Sequence, residues 1–150
     1  LAVPCNTAHY FIDRFRDRIG VPIVHIIEAT VEASMKKSPK GAWMISTMGT
    51  ARSGLYQKAA ADRGYRLMIP PEDVRKEIQK AIVFVKSGKM EDAARAIERV
   101  AAKLWEIEDL PIVTACTELP LAYDASDLPK DKNISSLDAL ADACIKALTE

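Results

Sequence analysis

The stretch V-P-C-N-T-A-H at residues 3–9 has a counterpart in T-A-C-T-E-L-P at residues 114–120. In each stretch an apolar run ends in a cysteine, and amide or hydroxyl side chains follow the cysteine. Such a turn is typical of α/β proteins, whose ligands collect at the carboxyl ends of parallel strands. We therefore predict that Cys5 and Cys116 face each other across one small substrate.

Strand-like and helix-like patterns alternate along the rest of the chain. Apolar runs of strand length occupy residues 21–27, 42–47, 65–70 and 110–116, the last being the final predicted core strand. Helical periodicity is found at residues 7–19, 28–37, 51–63, 72–86 and 90–106 and from about residue 136. Asn6 or Thr7 is the predicted N-cap of the first helix, and Ser136 that of the last. This alternation predicts an α/β fold with a doubly wound, mainly parallel sheet.

The composition excludes several functional classes. The 21 basic and 21 acidic residues cancel, whereas nucleic-acid-binding proteins usually carry a basic excess. The sequence contains no apolar run of the roughly 18 residues that a membrane span needs, and no signal-peptide pattern. Three cysteines without an export signal indicate reduced thiols. We therefore predict a cytoplasmic protein that binds neither nucleic acid nor membranes.

The cysteine turns have a chemical and a structural interpretation. Free N–H groups and the helix dipole at a strand-to-helix turn favour anions, so we expect them to lower the thiol pKa and to hold a substrate carboxylate. Alternatively, Cys5 and Cys116 are buried structural cysteines, which are common. Either cysteine alone leaves both interpretations open, but the matching contexts of the pair favour function. Cys144 is predicted to be an ordinary helix-core residue.

Other polar residues near these turns are ambiguous. The T-M-G-T turn at residues 47–50 has hydroxyl groups for a carboxylate, and it is equally well explained as a plain strand-to-helix turn. His9 is predicted to pack at the helix start or to support Cys5, and His25 to be a core histidine. Without a Cys-x-x-Cys motif or a His pair, no metal site is predicted. The position of Lys86, directly before Ser87-Gly88, indicates only a cation at the end of a helix.

Four motifs, in this order, resemble the aspartate/glutamate racemases, a family of cofactor-independent amino-acid racemases. They are V-P-C-N-T-A-H at residues 3–9, T-M-G-T-x-x-S-G-L-Y-Q at 47–57, V-K-S-G at 85–88 and A-C-T-E-L-P-L at 115–121. The resemblance covers almost the whole chain. With Glu118 after Cys-Thr, the chain resembles the aspartate-racemase branch, because the glutamate-racemase branch usually has His at this position.

The resemblance implies two pseudo-symmetric Rossmann-like lobes with the active site between them, usually in a homodimer. Residues 1–21 and 128–150 would then belong to the first lobe and residues 22–127 to the second. It also implies racemisation of an acidic amino acid, aspartate or glutamate, without pyridoxal phosphate or any other cofactor. Cys5 and Cys116 would be the two catalytic thiols.

The resemblance also implies roles for the residues around the thiols. Lys86 would face the side-chain carboxylate of the substrate, and His9 and Glu118 would support the site. The α-carboxylate would be held by Asn6, Thr7 and Thr117, with Thr47 and Thr50 nearby. The chain departs from the family pattern at Ala115, where Gly is frequent, and at residues 134–136, which read I-S-S rather than I-D-S.

The family pattern begins with a further segment that carries a first strand, a Gly-rich turn and an arginine. The apolar residues 1–4 read as the end of a strand, and because the chain starts inside it with Leu1, we expect such a segment to precede it in the natural protein. Two alternative functions stay open. One is a cysteine-dependent isomerase or decarboxylase of a small dicarboxylate, and the other is a carboxylate-binding fragment without turnover.

Overall fold

The computed structural model describes residues 1–149 of the chain. In this part, four strands form one sheet: β1 (Ala42–Ser46), β2 (Leu67–Met68), β3 (Ile112–Ala115) and β4 (Asn133–Ser135). All the strand pairs are parallel, and the order across the sheet is β2-β1-β3-β4. The predicted α/β class and parallel sheet are confirmed.

Helices precede, connect and follow the strands. They are α1 (His9–Ile12), α2 (Ile26–Lys37), α3 (Met48–Ser53), α4 (Leu55–Asp62), α5 (Glu72–Lys86), α6 (Met90–Ile107), α7 (Leu119–Asp124) and α8 (Ser136–Thr149). Single 3₁₀ turns lie at Arg16–Arg18 and Lys130–Lys132. The chain thus alternates between strand and helix after residue 42, as the sequence predicts.

Helices cover both faces of the sheet, because successive side chains of a strand point to opposite sides. Trp43 and Ile45 of β1 are buried on one face with side chains of α5, α6 and α7. Met44 is buried on the other face with Ile26 of α2 and Tyr56 of α4. Two apolar cores, one on each face, are what a doubly wound sheet requires, so this prediction is also confirmed.

The helical hairpin of α5 and α6 positions Lys86, the last residue of α5. Apolar residues at a spacing of four, Val74, Ile78 and Ile82, bury one side of α5. The hairpin turns at Gly88, whose φ of 72° lies in the left-handed region that favours glycine. The turn therefore fixes where α5 ends and where its terminal lysine lies.

The apolar run at residues 21–27 is not a strand, so this part of the sequence prediction is wrong. Its one β-bridge in the described chain joins Val24 to Ala2, and α2 begins at Ile26. Val21 is 55% exposed, whereas Ile26 and Ile27 are buried. A short apolar run does not distinguish a buried strand from the first turn of a buried helix.

The predicted helix over residues 7–19 is also wrong in extent, because α1 spans only His9–Ile12. Its N-cap is Ala8, not Asn6 or Thr7. The side chains of those two residues form hydrogen bonds with other parts of the chain and do not cap the helix. The periodic residues Phe11 and Phe15 are exposed, so tertiary packing does not extend the helix.

Two further element predictions need correction. The helix predicted at residues 51–63 is two helices, α3 and α4, separated at Gly54 with a φ of 72°. The strand at residues 110–116 is not the last, because β4 follows it and pairs with β3. The hydroxyl of Ser135, rather than that of Ser136, accepts a hydrogen bond from the first turn of α8, at the N–H of Asp138.

The predicted lobe boundary at residues 127 and 128 crosses this sheet. β4 lies in the segment 128–150, and Thr114 of β3 is in register with its Ser135. Glu150, the last residue of that segment, lies outside the described residues. The division of the chain into lobes stays a prediction.

Candidate active site

The order of the strands creates a switch point between β1 and β3. The chain moves from β1 to its neighbour β2 on one side, and from β3 to its neighbour β4 on the other. In open α/β sheets such a point leaves a crevice beyond the carboxyl ends of the two strands, where ligands bind. Thr47 directly follows β1, and Cys116 directly follows β3.

A cavity of about 140 Å³ lies at this crevice. Most of the predicted site residues line it. The lining residues are Cys5, Asn6, Thr7, Thr47, Thr50, Lys86, Ala115, Cys116, Thr117 and Glu118. Pockets for drug-sized ligands measure roughly 300–1,000 Å³, so this cavity suits a smaller molecule. Of the predicted site residues, His9 is the one outside the lining.

Three threonine hydroxyls form a cluster on one side of the cavity. The Oγ1 atom of Thr7 lies 2.8 Å from that of Thr50 and 3.2 Å from that of Thr47. The hydroxyls of Thr47 and Thr50 are 3.1 Å apart, and Thr47 also caps α3 by accepting from the N–H of Thr50. The cluster joins the turn after Cys5 to the turn after β1.

Asn6 is buried and held at both ends of its amide. The hydroxyl of Tyr56 donates to its Oδ1 at 2.6 Å, and its Nδ2 donates to the Oγ of Ser136 at 3.1 Å. An amide nitrogen carries two protons, so one N–H of Asn6 is left for a ligand. Neither Tyr56 nor Ser136 has a predicted role in the site, although Tyr56 lies in the T-M-G-T-x-x-S-G-L-Y-Q motif and Ser136 in the I-S-S stretch.

Cys116 is buried and bonded to the residue two positions after it. Its thiol donates to Oε2 of Glu118 at 2.8 Å, and the Thr117 hydroxyl donates to the same oxygen at 2.8 Å. The other oxygen, Oε1, lies 3.8 Å from the Lys86 ammonium. One carboxylate therefore contacts three of the groups predicted to handle the substrate.

This environment reverses the expected effect on the Cys116 thiol. Burial first, and then the hydrogen bond to Glu118, raise the pKa of Cys116 to about 12. Backbone N–H groups of Glu118 and Leu119 act in the opposite direction, as expected for a helix start, but they are outweighed. The N–H groups of the turn therefore act in the predicted direction, but the predicted net lowering of the Cys116 pKa is wrong. For Glu118, burial acts to raise the carboxyl pKa, but the donors around it hold the pKa below its usual range.

Cys5 has different surroundings. Its side chain is exposed, and its backbone carbonyl lies 2.9 Å from Nδ1 of His9, which is fully buried. The His9 and His25 rings are 4.3 Å apart, and Nε2 of His25 lies 2.9 Å from the Asp13 carboxylate. A carbonyl only accepts, so His9 donates through Nδ1 and supports the Cys5 turn, as one of the two predictions for it states. Burial lowers the pKa of His9 below its usual 6.5.

The remaining predictions concern features away from the cavity. His25 is buried at the start of α2, in agreement with a core histidine. Cys144 lies on α8, half-buried against the core on that face of the sheet. Within residues 1–149, no group of three or more His, Cys, Asp or Glu side chains is placed to hold a metal ion. None of the described helices is long and apolar enough to cross a membrane.

The sequence family described as Asp/Glu/Hydantoin racemase matches residues 1–144, which is nearly the whole chain. The chain belongs to the Asp/Glu/Hydantoin racemase family. The family predicted from the four sequence motifs is therefore confirmed.

Individual members of the racemase family show the extent of the likeness. The broad specificity amino-acid racemase RacX of Bacillus subtilis (strain 168) is 26% identical over 132 residues, covering 86% of this chain. The structure of Picrophilus torridus aspartate racemase matches 97% of the chain with a TM-score of 0.76 and 28% identity. An aspartate racemase homologue from Pyrococcus horikoshii OT3 matches 99% with a TM-score of 0.82 and 24% identity, which shows the common fold.

The chain spans only part of the length of these racemase-family proteins. It covers 57% of RacX, 60% of the P. torridus chain and 66% of the P. horikoshii chain. The matches establish the family and the α/β fold of this chain. The roles of the residues that line the cavity stay predictions.

Proposed function

We propose that the protein racemises an acidic amino acid, aspartate or glutamate, without pyridoxal phosphate. The observation that carries the proposal is that Cys5 and Cys116 line one small cavity together with amide and hydroxyl donors and Lys86. Membership in the Asp/Glu/Hydantoin racemase family supports it, as do the racemase activities named for RacX and for the P. torridus protein.

Racemisation inverts the α-carbon by removing a proton from one face and adding one to the other. A thiolate on one face takes the α-proton, while the C–H electron pair stays on carbon and spreads into the α-carboxylate. A thiol on the other face then donates its proton to the α-carbon. Cys5 and Cys116 are the two groups of this kind in the cavity, so they take these roles and exchange them for the opposite enantiomer.

The α-carboxylate must be surrounded by hydrogen-bond donors, because it gains negative charge as the α-proton leaves. We assign this task to Asn6, which has one free N–H, and to the hydroxyls around it. In the threonine cluster each hydroxyl has one proton, and rotation of one hydroxyl directs that proton to a ligand. The assigned hydroxyls are those of Thr7, Thr47, Thr50 and Thr117.

The second carboxylate of the substrate is assigned to Lys86. Its side chain is 62% exposed and its ammonium lies 3.8 Å from Glu118, so it is neither buried nor tightly bound. A substrate carboxylate at this position gains a charge-assisted hydrogen bond. This contact favours a substrate that carries two carboxylates, and the second carboxylate competes with Glu118 for the same cation.

We further propose that the active protein is a cytoplasmic homodimer with two lobes around this site. Residues 1–21 and 128–150 are assigned to the first lobe and residues 22–127 to the second, in line with the family resemblance. No cofactor takes part in the proposed chemistry, because both proton transfers use side chains that line the cavity.

The test is to incubate the purified protein with L-aspartate, and separately with L-glutamate, in heavy water. Proton NMR follows the α-proton, and chiral chromatography follows the enantiomers. We expect loss of the α-proton together with formation of the D-enantiomer from at least one substrate. Formation of alanine from aspartate would instead support the alternative of a decarboxylase. Absence of exchange with both substrates would contradict the proposal.

A further inference from the structure

The Glu118 carboxylate has contacts that ordinary helix capping does not explain. Glu118 is the N-cap residue of α7, yet its side chain makes no capping hydrogen bond in the described chain. Its Oε2 atom accepts instead from Cys116 and from Thr117, both at 2.8 Å. Hydrogen bonds to an ionised carboxylate are about twice as strong as neutral ones, so this contact has a large influence on the thiol.

We propose that Glu118 is a positioning residue that keeps Cys116 protonated, so that the site has a fixed proton donor on Cys116 and the role of base in the first half-reaction falls to Cys5. The thiol–carboxylate hydrogen bond exists only while the thiol has its proton. Loss of that proton would place a thiolate beside a carboxylate, two negative charges within contact distance. The inference rests on the proposed racemase function, and it adds which of the two thiols donates first.

The other groups near Cys116 do not offset this effect. Lys86 lies 3.8 Å from the far oxygen of Glu118 and its side chain is 62% exposed, so water screens its charge. Tyr56 is fully buried, and burial raises its pKa, so it stays neutral. Cys5 lines the same cavity and is exposed. The raised pKa of Cys116 agrees with the balance of these groups.

The proposal gives the first half-reaction a direction. A new S–H bond forms between the Cys5 thiolate and the α-proton, and the electron pair of the broken C–H bond stays on carbon. The S–H bond of Cys116 then breaks, and its proton bonds to the opposite face of the α-carbon. The site is left with a Cys5 thiol and a Cys116 thiolate beside Glu118. Release of the Cys5 proton to water and uptake of a proton from water by Cys116 restore the resting form.

Site-resolved thiol alkylation tests this inference without any substrate. The protein, Glu118→Gln and the control Glu108→Gln are treated with iodoacetamide between pH 6 and 10, and peptide mass spectrometry gives the rate at each cysteine. Glu118→Gln keeps the size of the side chain but removes the charge. Glu108 pairs with Arg66 and does not line the cavity, so its substitution should leave the Cys116 profile unchanged.

We expect the Cys116 rate of the unmodified protein to rise through pH 10 without a plateau. Removal of a negative charge in contact should lower the thiol pKa by roughly 1–3 pH units. After allowing for the weaker nucleophilicity of a less basic thiolate, the Cys116 rate in Glu118→Gln should increase by roughly 3- to 40-fold at pH 8.

An unchanged Cys116 profile in a folded Glu118→Gln variant would overturn the inference, because burial alone would then account for the thiol. If that variant does not fold, the unmodified protein still tests whether Cys116 is protonated at rest, which the inference requires. A Cys116 midpoint near the value of about 8.5 for a free thiol contradicts a protonated resting state. Because alkylation needs no turnover, a failed racemisation assay with the expected alkylation profile would reject only the proposed function.

Discussion

The two cysteine turns are similar in sequence and different in surroundings. Cys116 follows the central strand β3, is 5% exposed and donates to Glu118. Cys5 is exposed, follows a single β-bridge at Ala2 and precedes a helix of only four residues. The local pattern therefore predicts that both thiols line the cavity, whereas burial and the Glu118 carboxylate, which raise the pKa of Cys116, belong to only one of the two turns.

This difference matters because a two-base racemase needs both thiols, each in the opposite protonation state at the start of a turnover. Two equivalent thiols would leave the choice of donor open. Here Glu118 acts on one of them alone among the described hydrogen bonds. Substitutions in either turn therefore test this difference between Cys116 and Cys5.

The largest expected effect follows from replacing either thiol. Cys5→Ser and Cys116→Ser should each reduce racemisation by roughly 10²- to 10⁴-fold, the contribution of a positioned general acid or base. A serine hydroxyl is too weak an acid and its alkoxide too rare to replace the thiol. Chiral chromatography of the aspartate produced from each enantiomer measures the loss.

Cys144→Ser is the matched control, because Cys144 lies on α8 away from the cavity lining. Its turnover should equal that of the unmodified protein. Near-normal turnover in either Cys5→Ser or Cys116→Ser would refute a two-base mechanism. Loss of turnover in only one of the two variants would mean that only that cysteine takes part in the reaction. The two turns would then differ in function and not merely in thiol protonation.

A smaller effect is expected at Lys86, which lies on the Cys116 side of the cavity. A hydrogen bond to a charged group contributes about 1.5–3 kcal/mol, and about 1.4 kcal/mol corresponds to a factor of ten. Lys86→Ala should therefore lower the ratio of aspartate to alanine turnover by about tenfold or more. Lys89→Ala is the control, since Lys89 follows the same turn but lies outside the lining. An unchanged ratio in Lys86→Ala would remove its role in substrate selection.

On the Cys5 side, the corresponding test is Tyr56→Phe. The substitution leaves the buried Oδ1 of Asn6 without its donor at 2.6 Å, which should cost about 1–3 kcal/mol of stability. Thermal denaturation measures this loss, and the KM for aspartate should rise because Asn6 is no longer held for the α-carboxylate. Tyr65→Phe is a comparison on the same face, since the Tyr65 hydroxyl bonds to Ser34 and Ser38, away from the cavity. A raised KM in both variants would indicate a general loss of packing.

The sequence was sufficient to predict the parallel sheet and most of the cavity lining. The runs at β1 and β3 are long and apolar, and the cysteine and threonine turns directly follow them, so chain order alone places them at one edge. It was not sufficient around residues 7–27. There the apolar periodicity of Phe11 and Phe15 predicts a helix, but neither residue finds a core in the described chain.

The missed features of the site depend on contacts between distant residues. Tyr56 and Ser136 reach Asn6 across sequence separations of 50 and 130 residues, and no local pattern specifies such bonds. The pKa of Cys116 was predicted in the wrong direction for a similar reason. The helix dipole can be inferred from the sequence, but the burial that outweighs it follows from packing on the sheet.

The smallest expected effect concerns the buried histidine beneath the Cys5 turn. Because burial lowers the pKa of His9 in the folded state, the unfolded chain takes up its proton at higher pH. The stability that His9 provides is therefore complete above its unfolded pKa of about 6.5 and is lost as the pH falls towards the lower folded value. His9→Asn keeps an N–H donor for the Cys5 carbonyl but does not titrate.

Melting temperatures between pH 7.5 and 5.5 should accordingly fall more steeply for the unmodified protein than for His9→Asn. Parallel profiles would show that protonation of His9 is not coupled to folding. A difference in melting temperature that appears only between pH 7.5 and 5.5 would mean that mild acid destabilises the Cys5 turn by protonating His9. The Cys116 turn, where the thiol already has its proton, would be unaffected.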